Sequence, residues 1–370
     1  MRVNRENRSI TNRWWLSVDR YLLSAVLILM VIGGLMVITA SPAVAHRIGA
    51  GQFHFIKLQF VYIMLAIGIM FFISLFEPIT LRRICTIGFI GGIFLMLLTL
   101  FIGDEIKGST RWISLGGFSL QPSEFLKPCF FVVSAWMFSE KLKNPAFPGF
   151  MVASVLYVMV VILLVLQPDI GTTIMFSAVW MGQFFLAGLP IILVAVFAGL
   201  GIVAAVMAYL IFPHVAARVD KFLHPESTDS YQITKSLDAF ANGGFFGTGP
   251  GEGVIKKYIP DAHTDFIFAV LGEEMGLLFV LVVIGIFAFI AVRGFLKIHE
   301  YKDPFIILAC AGILMNFCLQ SVINMGVTLN LMPTKGMTLP FISYGGSSML
   351  SSAISIGILL SLTRKRYETK

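Results

Sequence analysis

The chain has 370 residues, of which 57% are hydrophobic and 13% are charged, and its formal net charge is +7. Soluble domains carry about 25% charged residues, so this composition excludes an ordinary soluble globule and indicates a membrane protein. The net charge alone would suit nucleic-acid binding, but most of the basic residues lie in segments predicted to be cytoplasmic, where membrane topology accounts for them.

Apolar segments recur along the chain at about the 20 residues that a helix needs to cross a hydrocarbon core of about 30 Å. The sequence therefore predicts an all-α polytopic membrane protein with ten membrane-spanning helices. These are residues 22–41, 55–75, 84–103, 122–139, 149–166, 172–187, 189–212, 266–292, 305–329 and 346–363. With the N-terminus in the cytoplasm, the cytoplasmic segments hold most of the 27 basic residues. This asymmetry predicts that both termini are cytoplasmic.

The domain organisation follows from these spans. We predict a polar cytoplasmic arm over residues 1–20, a single membrane domain over residues 21–363 and a cytoplasmic tail over residues 364–370. Two connections on the opposite side are long, residues 104–121 and 213–264. Long connections in compact domains are usually functional or disordered. The second one holds apolar stretches and a glycine cluster, so we expect it to fold against the membrane face.

The first polar motif, QPSE at 121–124, opens the fourth span and is followed by Lys127. Ionisable groups at membrane depth are costly and are functional by default. Glu124 and Lys127 are three residues apart on one helix face, so they can neutralise each other. They can equally face a cavity as a charged pair, and their spacing alone leaves both interpretations open.

The second motif, residues 167–173, lies between the fifth and sixth spans. Its Pro-Asp and Gly are turn residues, and Asp169 is placed to cap the next helix. Capping is the favoured interpretation of this aspartate.

The third motif, residues 258–266, closes the long connection and opens the eighth span. If it is helical, Asp261 and Asp265 are one turn apart on one face, and their repulsion together with partial burial raises the pKa of one of them. Such a carboxylate suits a general base near neutral pH. Helix capping explains one aspartate but not both together with His263. Further along, Glu273 and Glu274 are expected to be structural partners inside the bundle.

The fourth motif, residues 333–348, leads into the last span. Its glycines and serines permit close helix packing or present backbone N–H groups to an anion, but packing does not explain Lys335. The predicted outer face collects basic residues that suit a lipid diphosphate. They are Arg111, Lys127, Arg218, Lys221, Lys235, Lys256, Lys257 and Lys335. From the residues alone, both catalysis on an anionic lipid and its transport remain open.

Taken in order, the motifs resemble the SEDS family of shape, elongation, division and sporulation proteins. They are Arg-Trp at 111–112 ahead of QPSE at 121–124, QPDIGT at 167–172, HTDFIFAVLGEE at 263–274 and LPFISYGGSS at 339–348. The similarity runs from about residue 19 to residue 363. Residues 333–336 resemble the cell-division branch, because chains of the elongation branch usually lack the lysine at this position.

The resemblance implies a peptidoglycan glycosyltransferase that polymerises lipid II into glycan strands and releases undecaprenyl diphosphate. It implies a location in the bacterial inner membrane at the division septum. The implied partners are a class B penicillin-binding protein and other division proteins. The sequence departs from the family pattern at Asp261, where glutamate is common, and at Lys235, where glutamine is common.

Asp265 stands at the family's essential carboxylate and is expected to be the general base. Mg²⁺ or Mn²⁺ is expected to assist, with Asp265 as a candidate ligand. The residues expected to bind substrate are Arg111, Glu124, Lys127, Arg218, Lys235, Asp261, His263, Lys335 and Ser343. The alternatives are a lipid II flippase and an elongation-type polymerase. A non-catalytic scaffold would explain the N-terminal arm but not the clustered carboxylates.

The predicted topology can be tested with single cysteines in a chain whose native cysteines have been replaced. We expect a membrane-impermeant maleimide to label Glu252→Cys, in the long outer connection, from outside the cell. Thr369→Cys, in the tail, should react only after the membrane is opened. Labelling of the tail in intact spheroplasts would contradict this topology.

Overall fold

A computed structural model describes residues 10–49, 51–106, 109–115, 118–211, 213–223 and 231–365 of the chain. The described part is mainly helical, with a small antiparallel sheet and one 3₁₀ helix. The helices are α1 (Ile10–Ser17), α2 (Arg20–Arg47), α3 (His54–Ser74), α4 (Pro78–Ile102), α5 (Pro122–Lys143), α6 (Gly149–Leu166), α7 (Ile170–Leu186), α8 (Ile191–Ile211), α9 (Pro213–Leu223), α10 (Tyr231–Gly243), α11 (Ile267–Ile298), α12 (Pro304–Thr328) and α13 (Gly346–Leu362). The strands are β1 (Asp104–Ile106), β2 (Ser109–Leu115) and β3 (Phe118–Leu120), and the 3₁₀ helix is Ile255–Tyr258.

Six helices of the described part, α2, α3, α4, α6, α11 and α12, are long and apolar enough to cross a membrane. Shorter apolar helices lie at α7, at α13 and within α8. Together with α5, these helices coincide with the ten predicted segments to within six residues at every end, which confirms a polytopic helical membrane fold. Several helices run past the predicted apolar segment because their last turns contain charged residues, such as Arg47 and Lys297, which the apolar pattern leaves out. How many helices cross the membrane, and in which direction, stays a prediction.

The strands were not predicted from the sequence. β1 pairs with β2 and β2 pairs with β3, both antiparallel, in the connection predicted over residues 104–121. This small sheet places Arg111 against the turn between α6 and α7.

Ion pairs join the helix ends that were predicted to share the cytoplasmic side. Asp19 caps α2 by accepting hydrogen bonds from two backbone N–H groups at 3.1 Å, and its other oxygen lies 3.0 Å from Arg293 on α11. Lys143 at the end of α5 lies 2.9 Å from Asp303, which caps α12. The segments predicted to be cytoplasmic therefore lie together at one end of the bundle.

Part of the predicted N-terminal arm is a helix. In α1, the indole N–H of Trp14 donates to Ser74 Oγ at 2.7 Å, and its ring meets Phe71 edge-on at 4.8 Å. Residues 10–17 are therefore packed against the end of α3, because the tryptophan anchors them to it.

α11 is interrupted at Gly276, whose φ of 76° and ψ of 176° lie outside the helical region. The break frees backbone groups that must find other partners inside a membrane protein. The N–H of Leu277 donates to the carbonyl of Gly244 at 2.9 Å, and the N–H of Thr248 donates to the carbonyl of Glu273 at 3.0 Å. The glycine-rich loop after α10 therefore supplies hydrogen-bond partners that the interrupted helix lacks.

A buried carboxylate ties this loop to α11. Glu273 is fully buried and accepts hydrogen bonds from the backbone N–H groups of residues 254–256 at 2.7–2.9 Å and from Asn242 Nδ2 at 3.0 Å. Beside it, Glu274 pairs with Lys256. The expectation that both glutamates are structural partners is confirmed.

Replacing Glu273 with glutamine should destabilise the protein. The amide keeps the size but loses the charge, and its NH₂ group faces backbone donors, so we expect the free energy of unfolding to fall by about 2 kcal/mol. The matched control is Glu252→Gln, because Glu252 is exposed in the same loop. Thermal unfolding in detergent is the measurement, and equal melting of the two variants would contradict the role of Glu273.

Candidate functional site

A polar cavity of about 590 Å³ gathers the four sequence motifs at one end of the bundle. It lies between β2, the starts of α5 and α7, the turn before α11 and the connection between α12 and α13. Its lining includes Arg111, Trp112, Gln121, Glu124, Asp169, Thr172, Gln232, Asp261, Asp265, Gln320, Thr334, Lys335, Gly336, Thr338 and Ser348. Residues far apart in the sequence thus face a single space.

Asp265 lies in a turn and not in a helix. Residues 261–266 form turns, and α11 begins at Ile267, so the conditional prediction that a helix places Asp261 and Asp265 on one face is wrong. Both carboxylates nevertheless line the same cavity. The connection between α12 and α13 stabilises this turn, because Ser343 Oγ donates to the carbonyl of Thr264 at 2.6 Å.

Asn324, buried on α12, fixes Asp265 against the connection that follows α12. Its Nδ2 donates to the backbone carbonyl of Asp265 at 2.8 Å and to that of Met337 at 2.5 Å. At Gly336, an added Cβ would lie 2.7 Å from Asp265 Oδ2. The glycine therefore allows the chain that carries Lys335 to pass directly beside the carboxylate.

Asp169 joins two cations of the cavity wall. As predicted, it caps α7, accepting a hydrogen bond from the N–H of Thr172 at 3.2 Å. Its Oδ1 lies 3.4 Å from Arg111 Nη1 and 4.0 Å from Lys335 Nζ. Burial alone would raise the pKa of Asp169, but Lys335 and Arg111 outweigh it and hold the pKa below its usual value. Asp169 therefore stays ionised between the two basic groups, and the cluster carries a net positive charge whenever Lys335 is protonated.

Lys335 is the most perturbed of these groups. Burial lowers the pKa of Lys335 to about 7, although the negative charge of the nearby Asp169 acts in the opposite direction. Its Nζ donates to Thr172 Oγ1 at 3.1 Å, and the absence of a side chain at Gly171 leaves room for its aliphatic stem. An anion that enters the cavity would favour the protonated amine, because opposite charge raises the pKa of a cation.

Glu124 and Lys127 form the ion pair that their spacing allowed. Lys127 Nζ lies 2.7 Å from Glu124 Oε1 and 3.5 Å from Gln320 Oε1, and Lys127 is only 1% exposed. Glu124 lines the cavity, whereas Lys127 lies behind it. Lys127 therefore neutralises the negative charge of Glu124 on the cavity wall and does not itself form the cavity surface.

His263 faces away from the cavity. Its ring packs against Phe55 at 4.6 Å and against Tyr344 at 5.1 Å. Burial lowers the pKa of His263 to about 4, against the opposing charge of Asp261. The imidazole is therefore neutral near pH 7, and its surroundings are those of a packing residue.

Two other residues expected to bind substrate do not line the cavity in the described structure. Lys235 lies on α10 and pairs with Asp238 at 2.8 Å. Ser343 is buried and accepts a hydrogen bond from the N–H of Leu339 at 2.8 Å, so it holds the turn and its own segment together. The side chain of Arg218 lies outside the described part of the chain.

Several polar residues of the site were not predicted from the sequence. Gln320 donates to the carbonyl of Thr338 at 3.1 Å, and Gln232 donates to Asp261 Oδ2 at 3.2 Å. Gln320 and Asn324 are four residues apart in the mainly apolar α12. These two amides could have identified α12 as part of the site from the sequence, because polar side chains inside a span face protein and not lipid.

The cavity offers oxygen ligands for a divalent cation. Within the described residues, no group of three His, Cys, Asp or Glu comes together. Mg²⁺, however, is usually bound through one or two carboxylates plus substrate phosphates and waters. Asp261 and Asp265 supply carboxylates to one cavity wall, so the donor set fits a cation that completes its shell from a phosphorylated substrate.

Sequence comparison matches residues 20–368 to the FtsW/RodA/SpoVE family, described as cell cycle proteins. A Caulobacter vibrioides protein named probable peptidoglycan glycosyltransferase FtsW is 44% identical over 363 residues, with 98% of this chain and 93% of that protein covered. A Legionella pneumophila protein of the same name is 36% identical over 357 residues, with 92% and 90% covered.

Two solved structures share the fold. A chain of a peptidoglycan synthase complex, studied for its coordination of polymerization and crosslinking, matches with a TM-score of 0.78 and 26% identity, covering 96% of this chain and 100% of that one. The rod shape determining protein RodA of Thermus thermophilus matches with a TM-score of 0.68 and 24% identity, covering 94% and 97%. At 24% identity, the likeness to RodA shows a shared fold and nothing beyond it.

Diphosphate binding should weaken as the pH rises through about 7, because Lys335 loses its proton there. Between pH 6 and pH 8 we expect the affinity of the protein for inorganic diphosphate to fall about tenfold in excess of the change caused by titration of the ligand itself. Calorimetric titration is the measurement.

Lys335→Arg is the matched control, because arginine stays charged throughout this range. It should show only the pH dependence that comes from the ligand. The same pH dependence in the parent and in Lys335→Arg would contradict the role of Lys335.

Proposed function

The chain belongs to the FtsW/RodA/SpoVE family of cell cycle proteins, and on that basis we propose that it is a peptidoglycan glycosyltransferase that polymerises lipid II. The observation that carries this proposal is the position of Asp265 in one cavity with the cluster of Arg111, Asp169 and Lys335. Glycosyl transfer from a lipid diphosphate requires both a base and cations. The relatives named peptidoglycan glycosyltransferases support the same activity.

The reaction is a displacement at the anomeric carbon of the lipid-linked donor. The 4-hydroxyl oxygen of the acceptor N-acetylglucosamine forms the new glycosidic bond, while the bond from the anomeric carbon to the diphosphate oxygen breaks. The electron pair leaves with undecaprenyl diphosphate, and the configuration at the anomeric carbon inverts. Asp265 accepts the hydroxyl proton as general base.

The cations of the cavity wall act on the leaving group. Negative charge develops on the diphosphate oxygen as its bond to the sugar breaks, and fixed cations in a buried site stabilise such charge strongly. Arg111 is positioned by hydrogen bonds to the backbone carbonyls of Gln167 and Pro168. Lys335 lines the same cavity and neighbours Gly336, which lies beside Asp265, so the base and the cations border one space.

A bound Mg²⁺ or Mn²⁺ would supply further charge neutralisation to the diphosphate. Asp261 and Asp265 are the residues that would hold it, together with the phosphate oxygens of the substrate. Gln232 orients Asp261 through its hydrogen bond at 3.2 Å.

The proposed cellular role is septal wall synthesis in the bacterial inner membrane. It rests on the relatives named FtsW and on Lys335 within the Pro-Thr-Lys-Gly segment at 333–336. We also propose a class B penicillin-binding protein and other division proteins as partners, because the fold recurs in a peptidoglycan synthase complex.

Asp265→Asn tests the catalytic step. The substitution keeps the backbone carbonyl that Asn324 binds but removes the basic oxygen, so the protein should fold while turnover falls by a factor of about 10² or more. The measurement is synthesis of glycan strands from lipid II by the purified variant and the parent side by side.

Asp238→Asn is the control, because Asp238 is a half-buried aspartate of α10 that lies outside the cavity lining. It should keep parental synthesis. Near-parental synthesis by Asp265→Asn would remove Asp265 from the mechanism. A parent that moves lipid II across vesicles without forming strands would be a flippase.

A further inference from the structure

A second cavity, of about 910 Å³, lies between the outer half of α2 and the loop that precedes the Asp265 turn. We call it the α2 groove. One wall is mainly apolar and the rim is basic. The residues used below are Ile38, Pro42 and Ala43 on the wall and His46, Arg47 and Lys257 on the rim.

The basic rim is held in place without being neutralised. Arg47 Nη2 donates to the carbonyl of Lys257 at 2.6 Å and Nη1 donates to that of Ile259 at 3.5 Å. These bonds use only part of the five N–H donors of a guanidinium. Among the described residues, no carboxylate lies within 4.0 Å of His46, Arg47 or Lys257. The rim therefore offers oriented, uncompensated donors to an anion.

The wall continues into an apolar track along α2. Val31, Leu35 and Ile38 are exposed by 63%, 58% and 38% and recur at helical spacing on one face. A phosphate at the rim and an isoprenoid chain along this face would each meet matching chemistry. The groove therefore fits a polyprenyl diphosphate, with its anionic group at the outer end of α2.

The groove and the catalytic cavity lie on the two sides of one short segment. Arg47 binds the carbonyl of Ile259, and Asp261, two residues further on, lines the catalytic cavity. A molecule whose diphosphate is in the groove needs only to extend past this segment to reach the cavity.

Polymerisation of lipid-linked sugars needs two lipid diphosphates at the same time. The donor loses its diphosphate, and Arg111 and Lys335 on the wall of the catalytic cavity are suited to bind that leaving group. The acceptor keeps its own diphosphate, and a disaccharide separates that group from the attacking 4-hydroxyl. The acceptor diphosphate must therefore bind outside the catalytic cavity but close to it.

We propose that the α2 groove binds the diphosphate of the acceptor lipid II, so that its disaccharide reaches Asp265 past residues 259–261. This inference rests on the proposed polymerase function. It assigns the two lipid substrates to two separate sites on the outer half of the protein.

The binding test counts lipid II molecules on the Asp265→Asn protein, which should not turn over. In nanodiscs of phosphatidylcholine, native mass spectrometry should find two lipid II molecules per chain. With Arg47→Gln and Lys257→Gln added, it should find one. Arg47→Gln keeps an N–H donor for the backbone carbonyls, so it separates loss of charge from loss of structure.

Lys57→Gln is the matched control, because Lys57 is an exposed lysine near the outer end of α3 that lines neither cavity. It should leave two molecules bound. A single lipid II on the Asp265→Asn protein, or two on the groove variant, would overturn the proposal. Displacement of the second lipid II by phosphatidylglycerol would also overturn it, since the groove would then hold any anionic phospholipid.

Kinetics in the otherwise unchanged chain give an independent readout. The groove variant should raise the KM for lipid II about tenfold, as expected for a lost charge-assisted contact to phosphate, and leave kcat near the parental value. An unchanged KM with normal strand synthesis would overturn the groove and leave the polymerase intact. If the parent makes no strands, the polymerase proposal fails, and the binding count still decides what the groove holds.

Discussion

The structure around the cavity depends on the contacts that the buried carboxylate of Glu273 makes. A helix that breaks inside a membrane protein leaves backbone groups that lipid cannot satisfy. At Gly276 the glycine-rich loop supplies the missing partners, and Glu273 binds the backbone of residues 254–256 so that the loop stays in place. The chain that follows is then positioned to turn at Asp265. Residues 259–261 of this chain form the boundary between the cavity that Asp265 lines and the α2 groove.

The aspartates of the cavity differ because their neighbours differ. Asp169 caps α7 and lies against Arg111 and Lys335, which hold its pKa low and commit it to organising the cations. Asp265 lies in a turn whose backbone is held from α12, and the chain passes it closely at Gly336. One carboxylate thus orders the basic groups of the cavity wall, and the other is presented to the cavity. Lys335 connects the two, since it neighbours Gly336 and reaches Asp169.

Features set by neighbours in the sequence could be read without a structure. Runs of apolar residues predicted the helices because the thickness of the membrane fixes the length of a span. The capping role of Asp169 and the pairing of Glu124 with Lys127 followed from positions three residues apart on one helix. The ordered motifs also placed Asp265 among the candidates for catalysis, and the structure puts it in the cavity. The cap and the ion pair in particular depend on contacts within about one helical turn.

Only the tertiary structure decided which residues share the cavity. Arg111 reaches Asp169 from the β-sheet, which no periodic pattern predicted, and Lys335 reaches it from the far end of the chain. The stretch before α11 forms a turn because Ser343 and Asn324 bind its carbonyls from other segments. Contacts of this kind join segments that are distant in the sequence, and the packing of the whole bundle determines them. Residue spacing along the chain carries no record of that packing.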